Sequence, residues 1–412
     1  MAIAGYLHVT PTGAGAKTGA TWAAAMDWAA LVAAPPASGT VVFLKEGTYT
    51  LTGNVTFGAG AVTAPVAFIG VLSATTNVGA AVVFADWARA PANFPFIDCA
   101  TFVLTIGAQN AFRNIYVQGS ASGAFTSGTN GYVENCKFDC DVAVAGAVSA
   151  VSLGGNSVMV NCEVTAANGR GVSCGTYVML YGCYIHDMTS AAQGIGVTAS
   201  TATACVKCVF DNIKLYGIMI SANYLIRVVN CVFYDCGTDV YATTAYSSTF
   251  INNINEASDV AGYRWSTQTD QNLFLGNHGN DTRCTDMWVL VDSTTVFQDY
   301  KVSTGDPLFT VAGSDFSIGK TSPCRGTAQD LYLGVGATVK HGNKGAWQGF
   351  TTRSTIPTTA QVLDVASGGP ATWDENGDTG PGTVGAASAA TMKTSSRAGD
   401  NFKIGRGFHI GG

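Results

Sequence analysis

Asn135-Cys136-Lys137-Phe138, Asn161-Cys162-Glu163-Val164, Gly182-Cys183-Tyr184-Ile185, Lys207-Cys208-Val209-Phe210 and Asn230-Cys231-Val232-Phe233 repeat a single phrase. Weaker copies flank it at Asn114-Ile115-Tyr116-Val117, Asn253-Ile254 and Asn272-Leu273-Phe274-Leu275. By subtraction, the starts lie 21, 26, 21, 25, 23, 23 and 19 residues apart. A period in the low twenties without helical patterning predicts a solenoid whose coils are short strands.

The phrase can be read position by position. Two residues before its start stand Phe112, Val133, Met159, Leu180, Cys205, Val228 and Ile251. Just after the start come Ile115, Cys136, Cys162, Cys183, Cys208, Cys231, Ile254 and Leu273, and two further on Val117, Phe138, Val164, Ile185, Phe210 and Phe233. Apolar sites two apart share one face of a strand. The Asn falls between two strands, where a bend needs a residue that tolerates unusual φ/ψ. A second column keeps phase with the first: Ala150-Val151-Ser152-Leu153, Gly171-Val172-Ser173-Cys174, Gly194-Ile195-Gly196-Val197, Gly217-Ile218-Met219-Ile220 and Asp239-Val240-Tyr241-Ala242. Each coil then holds three strands and three turns. The expected fold is all-β, a single-stranded parallel β-helix, because one coil cannot bury its own apolar face.

Cys136, Cys162, Cys183, Cys208 and Cys231 form the core ladder of this reading. Parallel side chains on adjacent rungs lie ~4.8 Å apart, whereas disulfides prefer Cβ atoms ~3.8 Å apart. Free thiols packed as small hydrophobes fit better than a disulfide ladder. Cys205 and Cys208 have the spacing of a zinc half-site, but both fall in inward columns and no second pair or His completes it. No metal or other cofactor is expected.

The 412 residues include 12% charged residues, 50 Gly and a net charge of −6. That balance argues against nucleic acid, which needs clustered Lys and Arg. No apolar run approaches the ~20 residues of a membrane span, and Met1 to Tyr6 does not read as a secretory signal. Residues 1–38 read as a lead-in with a capping helix from Trp22 to Val32, N-capped by Thr21 and ended by Pro35-Pro36. Residues 39–350 read as the β-helix, with an interruption at 276–304 in which Met287 to Val291 forms a strand. Residues 351–412 lack the period and read as an extended arm. There Phe402, Ile404, Phe408 and Ile410 alternate as in short strands, which suits docking on a neighbouring subunit or particle by strand addition.

Tyr6 to Thr18, the Trp22 helix and Gly39-Thr40-Val41-Val42-Phe43-Leu44-Lys45-Glu46-Gly47-Thr48-Tyr49 resemble the N-terminal end of the pectate-lyase-like right-handed parallel β-helix superfamily. Asp306-Pro307-Leu308-Phe309, Asp315-Phe316-Ser317, Ser322-Pro323 and Gly345-Ala346-Trp347-Gln348 resemble its closing coils. The resemblance implies the fold and says little of function, because this fold hosts lyases, hydrolases, adhesins and phage spikes. It implies two ways to build a catalytic site: a calcium-bound carboxylate cluster with a basic residue, or paired carboxylates. Asp187, Asp211 and Asp235 follow the strand on successive coils and are the candidates, with His186, Lys214, Tyr216 and Arg227 in range. Carboxylates one rung apart would match the ~5–5.5 Å of a retaining glycosidase pair. The competing and preferred reading is turn chemistry, since Asp at a turn bonds its own backbone and a solenoid repeats it automatically.

Three functions remain open. The first choice is a structural virion protein, a capsid decoration or spike, found on the virion or outside the cell and docked to a neighbouring virion or capsid protein. A tailspike-type polysaccharide hydrolase or lyase is the alternative, and a bacterial surface adhesin the third. The resemblance to phage β-helix proteins implies a homo-oligomer, a trimer. Surface polysaccharide is a candidate partner, as the substrate of the tailspike-type alternative.

Overall fold

A computed structural model describes residues 5–71, 95–119, 123–140, 148–221, 223–243 and 245–265. Beyond these it describes 273–275, 277–279, 288–290, 299–300, 303–304, 309–311, 315–318, 324, 363–364 and 369–370. The expected docking residues Phe402, Ile404, Phe408 and Ile410 lie outside the described residues, as do Asn272 and Cys284.

Among the described residues the chain winds into two parallel sheets. Sheet A, of 13 strands, takes one short strand from each coil, and sheet B, of 19 strands, takes two. The two sheet-B strands of a coil are separate at first, as at Lys137–Cys140 and Ser149–Leu153, and fuse later into Val209–Ile220 and Val232–Ala242.

The bends carry the repeat. Asn114, Asn135, Asn161, Gly182, Lys207, Asn230 and Asn252 have φ between 49° and 62°. Gln109, Asn130, Asn156, Tyr177, Ala202, Leu225 and Ser247 have φ between 48° and 61°. The left-handed region is costly for residues with a Cβ, and Asn tolerates it best after Gly. The two ladders are five residues apart in every coil (109 and 114, 130 and 135, and so on), so the sheet-A segment has constant length. The extra residues of the longer coils therefore fall elsewhere, chiefly between the two sheet-B strands, at 141–147 and 189–194. Asn135 Nδ2 donates to Asn114 Oδ1 at 2.9 Å, tying successive bends. A Cβ at Gly182 (φ 62°) would come within 2.5 Å of Asn161 Oδ1, so glycine there serves both the bend and its neighbour.

The core is one continuous apolar cluster from Val9 to Tyr263. Its column Val117, Phe138, Val164, Ile185, Phe210 and Phe233 is fully buried, as read from the sequence. The five ladder cysteines are buried and free. Their Sγ atoms sit against carbonyls at the bend; that of Cys231 is 3.5 Å from Val229 O and 3.4 Å from Cys205 O. Burial raises the thiols of Cys162, Cys183 and Cys208 well above the usual range.

Several sequence expectations shift. The last repeat slips by one: the bend residue is Asn252, and Cys231 is followed in its column by Asn253, not Ile254. Likewise Phe250, not Ile251, continues Val228. Leu273 begins a sheet-A strand opposite Thr249, so it is not in the cysteine column either. In the second column, Val197 rather than Ile195 pairs with Val172, because 189–194 lengthens that coil by a loop. Within the expected interruption at 276–304, the described residues 278–279, 288–290, 299–300 and 303–304 pair in parallel with the preceding coil.

The cap is also shorter than expected. Met26 pairs with Val9, and Asp27 with Thr10, which removes that stretch from any helix. A 3-10 turn covers Trp22–Ala24, and the helix runs only from Trp28 to Ala33. Asp27 Oδ1, not Thr21, caps it by accepting from Ala30 N at 2.7 Å. The helix still closes the core, with Trp28 edge-on to Tyr49 and Phe57 at 5.3 and 5.9 Å.

At the other end the core turns polar. Asn253, Asn277 and Tyr263 share hydrogen bonds, Asn253 Nδ2 donating to Asn277 Oδ1 at 3.0 Å and Tyr263 OH to the same oxygen at 3.2 Å. Burial pushes the Asp239 carboxyl up to about 8.

Candidate functional site

On the first strand of sheet B, the residues on either side of the inward Phe, Val or Ile face outward and stack across coils. One outward row reads Tyr116, Lys137, Glu163, Tyr184, Val209, Val232, Ile254. The other reads Gln118, Asp139, Thr165, His186, Asp211, Tyr234, Glu256. Each coil thus presents two side chains, one rung (~4.8 Å) from the next.

These side chains join into a polar network over five coils. Asp139 accepts from Tyr116 OH at 2.9 Å, Thr165 Oγ1 at 3.0 Å and Gln118 Nε2 at 3.3 Å. Glu163 Oε1 lies 3.1 Å from both Lys137 Nζ and His186 Nε2. His186 Nδ1 lies 2.7 Å from Asp187 Oδ2, whose other oxygen accepts from Asn212 Nδ2 at 2.7 Å. Each imidazole nitrogen thus faces a carboxylate oxygen. Tyr184 OH donates to Asp211 Oδ2 at 2.6 Å, and the Tyr184 ring stacks on His186 at 3.9 Å. Tyr184, His186 and Asp211 are buried. Burial alone would favour the neutral acid at Glu163, but the His186 hydrogen bond and the Lys137 charge outweigh it and hold the carboxyl down to about 2.

The three predicted carboxylates do not form one row. Asp187 and Asp235 both have positive φ (59° and 51°) and stand in the bend ladder with Asn212 between them. This is the geometry of turn chemistry. Asp211 stands in the outward row between His186 and Tyr234. Of the predicted assistants only His186 is in the network. Lys214 pairs with Asp259 at 3.3 Å, Tyr216 stacks on Tyr241 at 4.4 Å, and Arg227 belongs to sheet A beside Ala204 and Thr249. Sequence reasoning missed Glu163, Lys137, Tyr184 and Tyr116. The signal was available: each is next to an inward residue of the repeated phrase, and aligning the phrases brings them side by side.

Residues 122–279 match the family model described as the right handed beta helix region. The chain is a right-handed parallel β-helix. Among solved structures, pectate lyase Pel9A has this fold, with a TM-score of 0.53, 15% identity and coverage of 84% of this chain and 97% of that one. An alginate lyase from Paenibacillus sp. str. FPU-7 matches at TM-score 0.41 and 11% identity, covering 72% of this chain and 98% of its own. A tailspike protein of bacteriophage CBA120 matches at 0.34 and 13%, covering 72% and 61%. At such identities the likeness is one of fold. No curated protein matches by sequence.

Proposed function

We propose that this β-helix is a structural surface component, a virion decoration or spike, whose outward face meets surface polysaccharide without cleaving it. The observation that carries the reading is the mutual pairing on the sheet-B face. Glu163 is held by Lys137 and His186, Asp211 by Tyr184, and Asp139 by Tyr116, Thr165 and Gln118. A general acid or base must exchange its proton near the working pH. Glu163, drawn to about 2 by its partners, is tuned the other way. Such pairing stiffens a face, which suits display. Segment 351–412 supplies the docking arm of this proposal, and the assembly is a homo-oligomer.

The rival reading is a polysaccharide depolymerase, favoured by the gathering of Glu163, His186, Tyr184 and Asp211 on a fold that a pectate lyase also has. One experiment separates them. The purified chain is incubated with a panel of acidic and neutral bacterial polysaccharides, while new reducing ends and unsaturated uronate absorbance are followed and binding is measured by sedimentation. Retention without cleavage is expected. Cleavage that is lost in Asp211→Asn or His186→Ala would replace this proposal with the depolymerase.

A further inference from the structure

On the second strand of sheet B, successive coils place Ala150, Gly171, Gly196 and Gly217 in one column, then Asp239, then Gly262. The glycines make room for a large inward side chain. A Cβ at Gly196 would meet Phe210 at 3.2 Å, and one at Gly217 would meet Phe233 at 2.9 Å. In the next coil both members of this pairing change together: Gly217 gives way to Asp239, and Phe233 to Asn255. The pair is fully buried, and Asn255 Nδ2 donates to Asp239 Oδ2 at 2.7 Å. A carboxyl group thus enters the core in a single coil of this column.

A carboxylate would be badly placed there. It can only accept hydrogen bonds, and Asp239 Oδ1 and Asn255 Oδ1 are both buried without one. The nearby Ser258 hydroxyl stands outside hydrogen-bonding geometry. No cation offsets the charge from inside. The strands around the pair are Val209–Ile220, Val232–Ala242, Ile254–Glu256 and Ala261–Trp265. Their cations are Lys214, exposed and paired with Asp259, and Arg264, which lies over the Tyr241 ring beside it on the outward row. Among their other titratable groups, Glu256 acts on Asp239 as a like charge. Cys236 is a thiol that burial holds well above its usual range, with Asp211 and Asp235 also raising it, and Tyr263 donates to Asn277. A buried carboxyl without a counter-ion takes up a proton instead of holding its charge, and burial pushes Asp239 up to about 8. One proton also provides for the orphaned oxygens. It makes a donor of Asp239, and the acceptor still open on its partner is Asn255 Oδ1.

We propose that Asp239 is kept as the neutral acid, accepting from Asn255 Nδ2 and donating to Asn255 Oδ1, and that this acid–amide pair is a pH-sensitive tie between two successive coils. In an opened chain Asp239 ionises near its ordinary 3.8, whereas the closed pair keeps its proton up to about 8. Between these values opening releases one proton, so the opening constant grows by about tenfold per pH unit. The tie is tightest in acid, weakens as pH rises, and stops changing once the closed form is ionised too. Glu163 on the outward face runs the other way and loses its contribution below 4.5.

The test uses the full-length chain and Asp239→Asn, whose amide keeps a donor and an acceptor but has no proton to lose. Urea unfolding of both is measured from about pH 4 to about pH 9. The two should match near pH 4. The variant should then become the more stable, by up to about tenfold in unfolding constant per pH unit, levelling off at about 8. A variant less stable than wild type at about pH 8, or a ratio that does not change with pH, overturns the proposal. Because Asp239→Asn could fail to fold, Asp239→Gly with Asn255→Phe rebuilds the Gly217–Phe233 arrangement of the preceding coil as a second reference. Infrared spectra of the wild type, with this double variant subtracted, should show the carbonyl band of a protonated carboxyl at neutral pH, fading as pH passes about 8. Absence of that band at neutral pH overturns the proposal by itself.

Discussion

Replacing Glu163 by Gln keeps the side chain's shape and removes its charge. Lys137 and His186 then face an amide 3.1 Å away where a carboxylate stood. The cost can be worked from the carboxyl itself, which is held at about 2 instead of 4.5. At roughly 1.4 kcal/mol per pH unit that difference is about 3 kcal/mol. The side chain is 13% exposed, so little of this is lost to solvent screening. Breaking a buried pair by removing one partner costs about 3–5 kcal/mol elsewhere, which brackets the same value. The sign follows from the direction of the shift. A carboxyl held down in the folded state stabilises fully above its unfolded value of 4.5, and that contribution is lost as pH falls from there towards 2. Urea unfolding followed by tryptophan fluorescence should therefore show Glu163→Gln less stable than the native chain by about 2–3 kcal/mol at neutral pH. The gap should close steadily as pH falls from 4.5 towards 2, where the folded chain too comes to carry a protonated Glu163. Equal stability at neutral pH would refute the pairing, and so would a gap that stays constant into acid.

Asn135→Ala should cost about 2–4 kcal/mol in thermal unfolding, from the left-handed bend and the orphaned Asn114 oxygen; Asn135→Gly should cost less because it keeps the bend. Gly217→Ala should lower the melting temperature sharply, since its Cβ would lie 2.6 Å from Asp239 O, whereas Gly53→Ala, with nothing within 4 Å, should leave it unchanged. In the native state a thiol reagent followed by peptide mapping should label none of the eleven described cysteines, and denaturant should expose them all. Cys208→Val should be tolerated within about 1.5 kcal/mol, as a swap of one small buried hydrophobe for another.

The coil was legible because the same bend recurs, and positive φ favours Asn or Gly, which fill six of the seven bends from 114 to 252, Lys207 being the exception. Where that signal doubled, the reading slipped. Asn252 and Asn253 are consecutive, and the expectation of an apolar inward residue drew the register to Ile254. The inward residue is instead Asn253, whose amide is satisfied by Val228 O and Asn277 Oδ1. The helix at Trp22 was over-read for a related reason. Alanine-rich spacing suits a helix, but Met26 and Asp27 gain more by pairing with Val9 and Thr10. The face network was harder to see. Glu163 and Lys137 are 26 residues apart, Glu163 and His186 are 23, and Tyr184 and Asp211 are 27. No fixed spacing marks such pairs, because loops of different length intervene between residues that share a rung edge.

The residue between the ladder cysteine and the next inward residue is the one the fold leaves free. It reads Lys137, Glu163, Tyr184, Val209 and Val232, so chemistry on this row gathers in the earlier coils and stops at Val209. The core changes in the opposite sense. It is apolar through Phe210 and Phe233 and acquires Asp239, Asn253 and Asn255 in the coils whose outward row is Val232 and Ile254. A solenoid permits this exchange, since each coil depends chiefly on its neighbours and a polar rung needs only a polar partner beside it. On this row the earlier coils therefore carry the polar groups, and the later ones place polar groups inside, where Asn253 and Asn255 join coil to coil.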